Sequence, residues 1–343
     1  MEMGILGLPQ SGKSTLFEIM TGGKSGQSHN ETVVRGQASV PDDRFDKLVE
    51  IYKPVKVSPA KVPFVDVHAV GEHPWEAVRQ NLSGTDGLLH VIDGFSLPDL
   101  SLSLDAYRKL EDELILSDLL IIEKKLERLA KMPKKAISPQ ETAQNDLLPG
   151  LKNCLEAGKP LRTAGLTPAE IFTLRSFSFW SIKPELVVVN VAEDNLSFAD
   201  AFAQELNLQE PVLGICCQIE AEMAGLSAAD QKEFLSSMGI AEPAFGRIIR
   251  AAFSLLGRIS FFTVGEDEVK AWVIPHSTKA PKAAGAIHND FERGFIKAEV
   301  MSFDDFMEHG GSQTQVKSAG RLRLEGKEYV VQDGDIITFR FNV

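Results

Sequence analysis

Gly7-Leu8-Pro9-Gln10-Ser11-Gly12-Lys13-Ser14-Thr15 is the stretch on which the fold reading turns. Residues 3–8, MGILGL, read as a short buried strand running into a glycine-bounded turn, and residues 14–21 read as the start of a helix. Between them a glycine, four residues, Gly-Lys and then Ser-Thr satisfy G-x-x-x-x-G-K-[ST]. The glycines let a loop fold round an anion and present successive backbone N–H groups to it. The helix start adds its free amides and the positive end of its dipole. Lys13 reaches the β- and γ-phosphates and Ser14 offers a hydroxyl to Mg2+. The expectation is a P-loop holding a nucleoside triphosphate with Mg2+, lined by Pro9, Gln10, Ser11, Gly12, Lys13, Ser14 and Thr15.

Outward from the loop, apolar runs at 62–67, 87–92, 186–191 and 212–217 alternate with helical stretches. That alternation predicts an α/β fold, a mostly parallel sheet covered on both faces. The pattern breaks after the third strand. Ile115, Leu119, Ile122, Leu126 and Leu129 recur at 4-3-4-3, one seam of a helix flanked by charges, and Pro133 ends it. A second helical stretch covers 140–157, and a third starts at Thr167-Pro168-Ala169-Glu170, a capping-box pattern. Residues 105–182 are therefore expected to form an α-helical hairpin insertion. It would interrupt a nucleotide-binding domain made of 1–104 and 183–257.

Beyond Gly257 the pattern changes to strands at 269–274 and 295–300 around a helix at 281–292. A capped short helix at 302–305 follows, then a hairpin of 329–331 with 336–341 turning at Asp333-Gly334. Strands wrapped round one helix in this length predict a β-grasp domain over 258–343.

Further residues carry the chemistry. Asp66 ends an apolar strand, where a carboxylate either holds Mg2+ through water or caps the next turn. Thr32 lies in a polar stretch from which a hydroxyl can reach the same ion. Asn190, Val191 and Glu193 follow the fourth strand as Asn-Val-Ala-Glu. Guanine-specific switches have Asn-Lys-x-Asp here, the Asp accepting from the guanine N1–H and 2-amino group. Loss of that short carboxylate favours ATP over GTP; alternatively Glu193 only begins the next helix.

Net charge is −12, and from Arg258 onward 11 Lys/Arg stand against 13 Asp/Glu. Such a balance argues against a free nucleic-acid binder. Lys317, Arg321, Arg323 and Lys327 fall close together, either as an RNA contact or as a solvated hairpin face. The N-terminus lacks a signal-peptide pattern, no run is long and apolar enough to span a membrane, and three cysteines make no disulfide framework. A cytoplasmic protein with no membrane partner is the expectation.

Taken together, the chain resembles the YchF family, the Obg-like ATPases. The resemblance runs nearly the whole length and is most specific in GLPQSGKSTLF (7–17), VPDDRFDKL (40–48), SFSFWSIKPELVVVNVAED (176–194), APKAAGAIHNDFERGFIKAE (280–299) and EGKEYVVQDGDIITFRFNV (325–343). It implies a P-loop NTPase of the translation-factor class that prefers ATP, a C-terminal TGS domain, and the ribosome or ribosomal RNA as partner. His90 matches a family histidine proposed to assist hydrolysis, which would make it catalytic beside Lys13. A lone histidine in an apolar strand is otherwise a core residue. Departures are Gln10 for the usual Asn, which bears on potassium dependence, Ala69 for the Gly of Asp-x-x-Gly, and a short segment from Asp66 to Gly87. Val70 fits the place where many GTPases carry a water-orienting Gln. The expected function is slow ATP hydrolysis in a ribosome-associated switch; the alternatives are a nucleotide-holding module with little turnover, and a GTP-binding protein.

Overall fold

A computed structural model describes residues 2–23, 33–67, 74–96, 98–133, 137–195, 197–206, 211–224, 226, 228–237 and 242–342. The chain begins β1 (Met3–Leu6), α1 (Lys13–Thr21), β2 (Val33–Ser39), α2 (Asp43–Tyr52), β3 (Lys56–Ser58), β4 (Lys61–Val67) and α3 (Pro74–Leu82). It continues β5 (Gly87–Gly94), α4 (Leu100–Lys131), α5 (Pro139–Glu156), α6 (Pro168–Leu174), β6 (Glu185–Val191), α7 (Phe198–Leu206) and β7 (Val212–Ile215). Then come α8 (Cys217–Ala224), α9 (Ala228–Ser237), α10 (Ala244–Leu255), β8 (Arg258–Thr263), β9 (Glu268–Pro275), α11 (Ala280–Ile287) and α12 (Asn289–Arg293). The last elements are β10 (Phe295–Ser302), α13 (Phe303–Glu308), α14 (Gln313–Ser318), β11 (Arg323–Glu325) and β12 (Asp335–Phe341).

Two compact units result, 1–36 with 63–248, and 37–62 with 249–343. The first holds most of a six-stranded sheet of order β2-β4-β1-β5-β6-β7. Its pairs β1–β4, β1–β5, β5–β6 and β6–β7 are all parallel. Such a sheet is buried on both faces, which is why β5 and β6 carry the apolar runs read from the sequence. The expected α/β fold is thus present.

The helical hairpin is present too. Ile115, Ile122 and Leu129 of α4 are buried against Leu148, Leu151 and Leu155 of α5, with Leu119 and Leu126 packed partly buried beside them. Reciprocal capping boxes start both following helices: Ser138 with Glu141, and Thr167 with Glu170. Among the described residues no helix is long and apolar enough to cross a membrane.

The second unit is a mixed sheet of order β11-β10-β12-β8-β9-β3. β8 and β9 are antiparallel, β12 runs parallel to β8, and α11 crosses one face, a β-grasp arrangement. Ala280, Ala283 and Ala284 of α11 let the helix lie close on Phe261, Ala298, Val300 and Ile337. Burial of Phe261 stabilises by roughly 1.5–3 kcal/mol.

Three local expectations change here. The helix expected over 281–292 is two helices, because His288 is extended (φ −161°, ψ 145°) and its ring nitrogen caps the second by accepting from Asp290 N at 3.2 Å. The hairpin expected at Asp333-Gly334 does not form. Residues 329–331 instead bond back to 278–280, through Ala280 N to Tyr329 O and Val331 N to Thr278 O, while β12 pairs with β10 and β8. Lastly, the unit does not begin at 258 alone. Residues 37–62 belong to it, with α2 placing Phe45 6.1 Å from Phe262 and β3 adding an edge strand parallel to β9.

Candidate functional site

At the C-terminal end of β1 the chain turns through Gly7 to Gly12 into α1. Gly12 caps α1 with φ +93°, a conformation that a side chain disfavours, and no side chain bonds to the first-turn amides. A β-carbon on Gly12 would lie 2.6 Å from Asn190 Nδ2. Gly7, at φ +152°, leaves room for the Val91 carbonyl and the Ser11 hydroxyl. Glycine at both positions is therefore a steric requirement of this loop.

Lys13 curls back so that Nζ donates to Leu8 O at 2.8 Å. Burial lowers its pKa, partly opposed by the Asp66 carboxylate. An incompletely hydrated ammonium beside free helix amides attracts an anion strongly. Ser11 Oγ is buried and has no hydrogen-bond partner among the described residues. Pro9, Gln10 and Thr15 are exposed, and Gln10 adopts a left-handed φ of +68°.

Ser14 Oγ donates to Asp66 Oδ2 at 2.8 Å, although 52 residues separate them. The pairing follows from topology, since β4 lies beside β1 and ends next to the start of α1. A hydroxyl and a carboxylate converging at one point are hard oxygen donors, the set that Mg2+ takes. Thr32, Ala69 and Val70 lie outside the described residues.

Asn190, near the end of β6, bridges the loop to α8. Its Nδ2 donates to Ser11 O at 3.4 Å and its Oδ1 accepts from Cys217 N at 3.1 Å. Val191 is buried with Phe198 and Phe202 in the core, which leaves only its backbone for a ligand. Glu193 is exposed in a 3-10 turn, Glu193–Asn195.

His90 has different company. Its ring is wholly buried, stacked on Tyr107 at 5.0 Å, with Nδ1 2.8 Å from Glu185 Oε1. Arg162 bonds Glu111 and also Glu185, the latter at 2.6 Å, and Tyr107 OH donates to Glu185 at 3.3 Å. Burial alone would raise the Glu185 pKa; the Arg162 guanidinium and the His90 N–H reverse this and hold it below the usual carboxylate value. His90, Glu111 and Glu185 bring three potential metal-ligating atoms within 4.8 Å, but Arg162 already supplies the cation there. The bonds of His90 thus run into the core, and none of those described reaches the loop. Nothing in the local pattern around Arg162 or Glu111 marked this network; only Glu185, a charge opening an apolar strand, was a signal.

Residues 258–342 match a family model, YchF-GTPase_C, described as a protein of unknown function (DUF933). The whole chain is 37% identical over 363 residues to the ribosome-binding ATPase YchF of Bacillus subtilis (strain 168), with 99% of each covered. Similarity to the Obg-like ATPase 1 of Oryza sativa subsp. japonica is 38% over 368 residues, covering 100% of this chain and 92% of that one. The structure of the Schizosaccharomyces pombe YchF GTPase has the same fold, with a TM-score of 0.86 at 24% identity, over 99% of this chain and 97% of that one.

Proposed function

The chain belongs to the YchF family of Obg-like ATPases, and on that premise we propose that it is a ribosome-associated nucleotide hydrolase which binds ATP with Mg2+ at Gly7–Thr15 and turns it over slowly. One observation carries the reading: the Ser14 hydroxyl and the Asp66 carboxylate meet at 2.8 Å beside a glycine-shaped loop and a helix start without a side-chain cap. The loop amides and Lys13 bind and orient the phosphates. Ser14 and Asp66 would hold Mg2+, which when bound neutralises charge on the β- and γ-oxygens. The names of the bacterial relatives, ribosome-binding ATPase, support the ribosome as partner.

Preference for ATP rests on Asn-Val-Ala-Glu at 190–193, where the short carboxylate that would pair guanine is missing. The exposure of Glu193 is compatible with a loop that reads no guanine edge. Calorimetric titration with ATP and GTP, each with Mg2+, tests the base. ATP should bind at least tenfold more tightly, and tenfold tighter GTP binding would overturn the preference.

The burial of His90 against Glu185 favours a second reading, in which nucleotide is held with little or no hydrolysis. Single-turnover release of phosphate, with and without ribosomes, separates the two. Release stimulated by ribosomes supports the enzyme, whereas ATP retained for hours supports the holding module.

A further inference from the structure

Resting on the reading of the loop as an ATP site, we infer that Gln218 recognises the 6-amino group of adenine and that Glu222 sets its orientation. Gln218 is the second residue of α8, which starts where β7 ends. β7 stands three strands from β1 in the first sheet, about 14 Å at the usual strand spacing. In a parallel sheet of this kind ligands lie across the carboxyl ends of the strands. A nucleotide whose phosphates occupy the turn after β1 therefore carries its base toward the ends of β6 and β7.

Two contacts bring the start of α8 to the loop. Asn190 of β6 donates to Ser11 O at 3.4 Å and accepts from Cys217 N at 3.1 Å, so the residue before Gln218 is tied to the phosphate loop. Cys217 is buried, and its sulfur lies 3.7 Å from where a β-carbon on Gly12 would stand. Strand register places Gln218 as well. Asn190 pairs with Ile215, and three residues beyond each stand Glu193 and Gln218, both exposed. Glu193 occupies the place from which guanine-specific switches read their base, and Gln218 is its counterpart on the neighbouring strand.

The chemistry of the pair gives the choice of base. A carboxamide has one accepting oxygen and an NH2 group that only donates, whereas a carboxylate only accepts. Gln218 Nε2 donates to Glu222 Oε1 at 3.5 Å, one helical turn on. That bond decides which end of the amide is which, and among the described residues it is the only one the Gln218 side chain makes. Oε1 is left to take a donor and to repel an acceptor. At position 6 adenine presents an amino donor and guanine a carbonyl oxygen, so the orientation set by Glu222 favours adenine. The absent guanine-type Asp removes a contact to guanine; Gln218 supplies one to adenine, the attractive half of the same preference.

The test titrates the full chain, in Mg2+, with three triphosphates. They are ATP, purine riboside triphosphate, which has hydrogen at position 6, and inosine triphosphate, which has oxygen there. The unaltered chain should bind ATP roughly three- to tenfold more tightly than purine riboside triphosphate, the span of one net hydrogen bond. Gln218→Ala should lose that margin by weakening ATP alone, with purine riboside triphosphate kept within about twofold. Glu222→Gln frees the Gln218 carboxamide to turn over, and should bring inosine triphosphate closer to ATP by roughly threefold. Both side chains are exposed, so both variants should melt within a few degrees of the unaltered chain. Gln218→Ala weakening both ligands equally, or neither, would overturn the inference and leave the ATP site standing. An unaltered chain that binds none of the three, or takes GTP tenfold more tightly than ATP, would instead defeat the functional reading itself, and the inference with it.

Discussion

Asn190 and Gly12 are in steric register: a β-carbon on Gly12 would lie 2.6 Å from the Asn190 side-chain nitrogen, and that nitrogen donates to the neighbouring Ser11 carbonyl at 3.4 Å. The other end of the carboxamide receives Cys217 N, the first amide of α8. Both polar atoms of Asn190 are thus engaged in holding the loop to the element that follows β7. That geometry is of a strut between the loop and α8.

Gly12→Ala should abolish ATP binding without unfolding the first unit. The added methyl forces either the Asn190 side chain or the helix start to move, and φ +93° adds strain of roughly 1 kcal/mol or more for an alanine. Calorimetry with ATP and Mg2+ would check the loss, and a thermal melt within a few degrees of the unaltered chain would show that the fold survives. Asn190→Ala, which removes the strut but no loop atom, should weaken ATP binding by roughly ten- to a hundredfold, from two lost hydrogen bonds. Unchanged affinity would dismiss the strut.

Lys13→Ala and Asp66→Asn should separate phosphate binding from metal binding. The described bond of Lys13 Nζ goes to Leu8 O of the loop, so its loss should remove nucleotide affinity with or without Mg2+. Asp66→Asn keeps an acceptor for Ser14 but loses the charge, and should abolish the Mg2+-dependent part of the affinity alone. Titrations with and without a chelator make the distinction.

How far the sequence was legible follows from the reach of each interaction. The glycine turn into α1, the seam of α4 and the capping box at Thr167 are local patterns, and the structure has them where the spacing put them. The place of residues 37–62 in the second unit was invisible because their partners are distant: Ser58 meets Glu268 across 210 residues, and β3 is only three residues long. Asp333-Gly334 carries the signal of a hairpin turn, yet β12 found longer partners in β10 and β8, a tertiary choice that overrode the local one. His90 likewise looked isolated because Glu185 lies 95 residues on and Arg162 stands in no pattern.

Arg162→Ala should destabilise the first unit by roughly 3–5 kcal/mol, since two buried carboxylates lose their cation. The deficit should depend on pH. Glu185 has a folded pKa held below its unfolded value, so its contribution is present above the usual Glu pKa and lost as pH falls. Removing Arg162 removes that contribution, so urea unfolding should show a large gap between variant and parent at pH 7 that narrows toward pH 4. A gap constant with pH would mean that lost packing, not charge, is the cause.

Asp118 gives the opposite slope. Burial pushes its pKa up to about 6, against the bonds it accepts from Trp180 N, Ser181 N and Ser181 Oγ. A folded pKa above the unfolded 3.8 means that the folded state binds more protons between the two values. Stability from this group is therefore complete below about pH 4 and is lost as pH rises through about 6, by roughly 3 kcal/mol. Asp118→Asn should flatten that part of the urea-unfolding profile between pH 4 and 6, whatever its effect on the absolute stability.

Glu220 caps a helix from a distance, and its substitution separates hydrogen bonding from charge. Its Oε1 accepts from Ala244 N, the first amide of α10, at 2.7 Å, while the carboxylate is buried and its other oxygen has no partner among the described residues. Burial raises its pKa, with the bonds from Ala244 and Phe245 opposing the rise. What α10 requires is an acceptor at its open end; a full charge there is offset by the cost of desolvating it. Glu220→Ala removes the acceptor and should destabilise by roughly 1–2 kcal/mol. Glu220→Gln keeps the acceptor and drops the charge, and should fall within about 0.5 kcal/mol of the parent. Chemical unfolding of both variants at neutral pH decides it. If Gln costs as much as Ala, the charge is what holds the end of α10, and the buried carboxylate is ionised in the native protein.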